Sequence, residues 1–149
     1  MVFPETVKAA PMPASQSNIT SSTPLGATLA PGGVTFRTWA PKALEVYIAS
    51  KQPTGTAPAA FPKNAGDLLV KDADFWAGFV PGLKDGDLYR FYVVGTGSEG
   101  FKRDPYAREL EFNGYPDCNC ILRDPGTYPW HDAEFRPPEI GRASCRERV

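Results

Sequence analysis

Residues 75–94 read FWAGFVPGLKDGDLYRFYVV, and how this stretch is read decides the fold class. Two runs rich in aromatic and β-branched residues flank a short segment that holds Pro81, Gly82, Asp85 and Gly86. Runs of this kind bounded by turn residues read as strands. In the second run Tyr89, Phe91 and Val93 alternate with Arg90 and Tyr92, the period of a strand that buries one face. The stretch predicts a β-hairpin that turns at Asp85-Gly86, where glycine takes positive φ without a steric penalty.

The same period continues upstream. In GGVTFRTWAP, residues 32–41, Val34, Phe36 and Thr38 alternate with Thr35, Arg37 and Trp39 until Pro41, which has no N–H to donate, stops the ladder. In LEVYIA, residues 44–49, Leu44, Val46 and Ile48 share a face opposite Glu45 and Tyr47. Residues 50–66 hold three prolines and little periodicity, so they predict a long loop, a place where function often sits. DLLVK at 67–71 and CNCILR at 118–123 are expected to be short strands. Residues 1–23 are small, polar and proline-rich, with too few large apolar groups to offset the entropy of ordering them. A flexible lead-in is expected there, a sandwich over 24–123, and an extended, proline-biased linker over 124–139.

Composition narrows the classes. Sixteen prolines and fourteen glycines in 149 residues are too many for a helical bundle and suit short strands joined by turns, so the expected class is all-β, an immunoglobulin-like β-sandwich. A formal charge of -1 supplies no basic field, which argues against nucleic acid as a partner. No apolar run approaches the roughly 18 residues of a membrane span. Three cysteines, two of them the closely spaced Cys118 and Cys120, form no disulfide framework; with no secretory signal pattern at residues 1–13, the expected location is cytoplasmic. The closing residues 140–149, IGRASCRERV, hold three arginines against one glutamate and break with the acidic character of the rest. They match translated sequencing-adapter DNA and are expected to be an artefact.

Candidate chemistry is sparse. Gly95, Gly97 and Gly100 match G-x-G-x-x-G, but a dinucleotide site needs a helix to open there, and Pro105 follows too soon; a glycine-rich hairpin turn is the better reading. His131 is the only histidine, so neither a multi-histidine metal site nor a triad with a spare base can be assembled. The aspartates mostly neighbour glycine, proline or strand ends, where they serve as caps and turns, and no pair has catalytic spacing. No catalytic residue, metal or cofactor is expected. Among the aromatic residues core packing is the default, and Trp76 and Tyr92 are the two left open as surface platforms.

In combination, GVTFRTWAPKALEVYIA, FWAGFVPGLKDGDLYRFYVVGTG, FKRDPYAREL and CILRDPGTYPWHDAEFRPP resemble the N-terminal carbohydrate-binding module family 48 domain of glycogen branching enzymes and other enzymes of glycoside hydrolase family 13. The resemblance runs from about residue 24 to 138. It implies a non-catalytic accessory domain of an α-1,4-glucan-active enzyme, with α-glucan (glycogen or starch) and a C-terminal catalytic barrel in cis as partners. The catalytic carboxylates of such enzymes sit on barrel strands, so none is assigned here. The resemblance places Arg90 at the module's basic glucan-binding position and Trp76 near the platform; Tyr92, left open above, completes the candidate sugar-binding set. Trp130, His131 and Phe135 would meet the barrel. The alternatives are a free-standing glycogen- or starch-binding module and an interaction domain without a sugar role.

Overall fold

The computed structural model describes residues 12–137. The artefact expected at 140–149 and residues 1–11 of the lead-in expected at 1–23 fall outside them. Among the described residues nine strands occur: β1 Gly26–Ala30, β2 Gly33–Trp39, β3 Glu45–Ser50, β4 Val70–Asp72, β5 Phe75–Pro81, β6 Leu88–Gly95, β7 Ser98–Lys102, β8 Glu109–Leu110 and β9 Cys120–Ile121. One sheet has the order β1-β2-β5-β4; the other has β3-β6-β9-β8, with β7 also paired to β6. Every pairing is antiparallel. Two antiparallel sheets around one core make the expected all-β, immunoglobulin-like sandwich.

The predicted alternation becomes the core. Val34 and Phe36 of β2 and Trp76 of β5 face Val46 and Ile48 of β3 and Tyr89 and Phe91 of β6, all buried. Phe36 meets Tyr89 at 5.2 Å and Phe91 at 6.5 Å between ring centroids. Fully burying one such side chain contributes about 1.5–3 kcal/mol. The Tyr89 hydroxyl, inside this core, donates to Asp104 Oδ2 at 2.7 Å, and the Tyr106 backbone N–H donates to Asp104 Oδ1. Burial pushes the Asp104 carboxyl above its ordinary range, against those two hydrogen bonds.

Two expectations are corrected. Residues 75–81 and 88–95 form no hairpin: β5 pairs with β2 and β4 in the first sheet, while β6 pairs with β3 in the second. Residues 82–87 cross between the sheets. The Gly82 N–H donates to Gly32 at the first sheet, the Gly86 N–H donates to Leu122 beside the second, and Leu83 is buried between them. Both strands carry large inward side chains, and each buries them against the other across the sandwich. β6 instead forms a hairpin with β7, closed by Gly95 opposite Ser98, with Gly97 at φ 78°.

The second correction concerns the lead-in. Residues 12–23 are seated on the first sheet. Ser15 bridges to Phe79, the Ala14 N–H donates to Leu68, and Ala14 is buried between Gly78 and Leu69. The Gln16 amide donates to the Ala77 carbonyl, and Arg37 donates to the carbonyls of Ser21 and Thr23. A few small side chains suffice because β4 pairs only with residues 75–77 of β5, which leaves backbone groups beyond them to bond.

Candidate functional site

The outward face of the second sheet carries its own aromatic cluster. Residue 47 on β3, residue 92 on β6 and residue 101 on β7 lie in register across three strands. The long loop expected at 50–66 folds onto them, bending through single 3-10 turns at Pro58–Ala60 and Ala65–Asp67. It delivers Phe61, whose ring stacks on Tyr92 at 4.6 Å and meets Phe101 and Tyr47 edge-on at 5.7 and 6.0 Å. The loop is therefore a lid on the sheet.

Arg90 stands at the border of this cluster. Its side chain leaves β6 on the outward face and is 3% exposed. The guanidinium carbon lies 4.2 Å from the centre of the Phe101 ring. Nη1 donates to the Asp117 carbonyl at 2.9 Å and Nη2 to the Pro53 carbonyl at 3.4 Å, while buried Nε has no acceptor. Burial pushes the guanidinium below its ordinary range, opposed by the charges of Asp117 and Glu111.

Two depressions flank the Arg90–Phe101 pair. One, about 310 Å³, is lined by Gly55, Thr56, Pro58, Arg90, Phe101 and Asp117. The other, about 350 Å³, is lined by Arg90, Phe101, Lys102, Arg103, Pro116 and Asp117. An aromatic ring beside hydrogen-bonding groups in a shallow groove suits a ligand with apolar C–H faces and hydroxyl edges. The loop end is fixed by Asn119, whose Nδ2 donates to the Gln52 carbonyl, to Thr54 Oγ1 and to Glu111 Oε2. Glu111 Oε2 also accepts from the Thr54 hydroxyl at 2.6 Å and the Asn119 N–H at 3.0 Å. The Thr54 hydrogen bond above all, then those from Asn119, hold the Glu111 carboxyl below its usual range against desolvation.

The expected sugar-binding residues part company here. Arg90 lines the groove. Tyr92 is fully buried beneath Phe61 and supports the groove floor without presenting a face. Trp76 is a core residue in the opposite sheet, 5% exposed, with Nε1–H donating to the Ala40 carbonyl at 3.0 Å. It points inward because residues 76, 78 and 80 of β5 face the second sheet, so it offers sugar no ring. The 55–58 loop lies within residues 50–66, where function was expected, whereas Phe101 was missed by sequence reasoning. The signal available was Phe101 two residues after Glu99, the strand period continuing past the glycine turn. The expected barrel-contact residues lie together after β9: Trp130 is 73% exposed, His131 and Phe135 are exposed, and Tyr128 meets Trp130 edge-on at 4.9 Å. Among the described residues, no group of three or more metal-ligating side chains occurs, and no helix is long and apolar enough to cross a membrane.

Comparison with known proteins agrees with this architecture. Residues 24–107 match the model of carbohydrate-binding module 48, the isoamylase N-terminal domain. The chain is 31% identical over 105 residues to a 1,4-alpha-glucan branching enzyme of Francisella philomiragia, covering 69% of this chain and 16% of that enzyme. Apo pullulanase from Paenibacillus barengoltzii superposes with TM-score 0.61 at 27% identity, over 82% of this chain and 18% of that one. The same pullulanase in complex with maltohexaose and alpha-cyclodextrin gives TM-score 0.55 at 25% identity, over 71% and 15%. The chain thus spans about a sixth of the length of the curated relatives it matches. Family match, sheet order and strand pairing lead to one conclusion: this chain belongs to the carbohydrate-binding module 48 family.

Proposed function

We propose that this domain is the non-catalytic accessory module of an enzyme acting on α-1,4-linked glucan, of branching or debranching type, and that it offers glucan the groove between the 55–58 loop and Phe101. The observation that carries the reading is the groove itself: an aromatic ring on β7, a buried guanidinium behind it, and a loop held over both by Asn119 and Glu111. The names of the relatives, a glucan branching enzyme and a pullulanase with bound maltohexaose, support the substrate class. Exposed Trp130 and Phe135 in the segment after β9 support a contact with a catalytic barrel in cis. Buried free thiols at Cys118 and Cys120 suit the reducing cytoplasm.

Affinity electrophoresis tests the binding half. The chain is expected to be retarded in gels containing amylopectin, and Phe101→Ala, checked for an unchanged far-ultraviolet dichroism spectrum, to lose that retardation. Equal mobility with and without amylopectin overturns glucan binding. Incubation with glycogen followed by iodine staining tests the other half, and any turnover overturns the non-catalytic role.

A further inference from the structure

The two depressions beside Arg90 differ in charge. The one under the 55–58 loop is lined by small and neutral groups apart from Arg90 and Asp117. The other gathers Arg90, Lys102 and Arg103 against the single carboxylate of Asp117. Among the described residues, Arg90 forms no ion pair: its acceptors are two backbone carbonyls. Glu111, the carboxylate placed to neutralise it, is already occupied by three donors from Thr54 and Asn119. The charges of Asp117 and Glu111 lie near the guanidinium, but it hydrogen-bonds neither carboxylate and its buried Nε has no acceptor, so an anion that reaches it meets a donor left unused. Arg103 is held in place over the Tyr115 ring at 4.7 Å, and exposed Lys102 is free to swing toward a ligand.

From this asymmetry we propose that the cationic depression is a subsite for a phosphate monoester carried on the glucan. The sugar lies against Phe101 and the neutral depression, and its phosphate oxygens meet Arg90, Lys102 and Arg103. Arginine offers forked N–H donors that match phosphate geometry, and lysine adds a mobile point charge. The inference deepens the glucan reading of the same groove and rests on it.

The test is calorimetric titration of the full 149-residue chain at low ionic strength with three probes: maltoheptaose, maltoheptaose bearing one 6-phosphate, and inorganic phosphate. The phosphorylated sugar is expected to bind at least about tenfold tighter than the neutral one, as charge-assisted hydrogen bonds imply. The ratio should fall toward one in the Lys102→Gln, Arg103→Gln double variant, whose fold is checked by dichroism, and should shrink as salt is raised. Equal affinity for the two sugars in the native chain, or an advantage that survives in the double variant, overturns the subsite while leaving glucan binding intact. No binding of either sugar overturns the glucan reading too. Inorganic phosphate binding tighter than the phosphorylated sugar points to a free-phosphate site and overturns the glucan ester as ligand.

Discussion

Replacing Trp76 by alanine separates a core residue from a sugar platform. The indole is 5% exposed in the inner cluster with Phe36 and Tyr89, and its N–H donates to Ala40 at 3.0 Å. Truncating a buried tryptophan costs about 3–5 kcal/mol. The abandoned Ala40 carbonyl adds about 1 kcal/mol if water does not reach it. We therefore expect a loss of about 4 kcal/mol, a large share of the roughly 5–15 kcal/mol that holds a domain folded. At about 4 °C per kcal/mol for a domain of this size, Tm should drop by about 15 °C. Trp76→Phe keeps most of the buried area and should lose only about 1–2 kcal/mol. Urea unfolding followed by far-ultraviolet dichroism measures both. If Trp76→Ala unfolds within 1 kcal/mol of the native chain yet abolishes retardation by amylopectin, the inward placement of this residue is wrong.

Three further outcomes follow from particular contacts. Deleting residues 1–15 removes the hydrogen bond from the Phe79 N–H to the Ser15 carbonyl at 2.7 Å, so hydrogen exchange at the Phe79 amide should speed at least about tenfold; unchanged protection contradicts the seated N-terminal segment. Tyr89→Phe removes a charge-assisted donor from buried Asp104 and should cost about 1.5–3 kcal/mol at neutral pH. Burial raises the Asp104 carboxyl above its ordinary range, so Asp104 favours the fold most in acid and that support fades as pH rises; the Tyr89 hydrogen bond works the other way, favouring the ionised carboxylate, so the Tyr89→Phe deficit should narrow as Asp104 takes up its proton, which denaturant midpoints from pH 3 to 7 check. Glu111 has the opposite sign, since its carboxyl is held below 4.5 in the fold. Its stabilisation is present above pH 4.5 and lost as pH falls through the lower folded value, so Glu111→Gln should destabilise the chain at pH 7 and progressively less below pH 4.5.

The strands that alternate cleanly are legible in the sequence. Val34 and Phe36, Val46 and Ile48, Tyr89 and Phe91 all point inward as their period of two requires. Pairing was harder to read, because periodicity fixes the face of a strand and not its neighbour. Residues 75–94 look like a hairpin, but the six residues between the strands are long enough to change sheets, and Leu83 repays the crossing by filling the end of the core. The N-terminal segment was missed for a related reason: its order comes from backbone hydrogen bonds to an open edge, which composition does not reveal. At the site, Arg90 came from the resemblance, as the residue at the module's basic position. Trp76 was left open as a platform because it lies on the face opposite Phe75 and Phe79, and alternation alone does not say which face is the core. Phe101 acquires its role only when β7 folds beside β6 and the loop brings Phe61 over it, a meeting of segments forty residues apart.

The most direct test of the account is a titration of the isotopically labelled chain with maltoheptaose followed by amide chemical shifts. Saturable shifts should gather at Gly55, Thr56, Gly100 and Phe101, on both sides of the groove, with the Trp76 and Trp39 amides unmoved. Shifts centred on the first sheet, or none at millimolar sugar, contradict the claim that the outer face of the second sheet is where this module meets glucan.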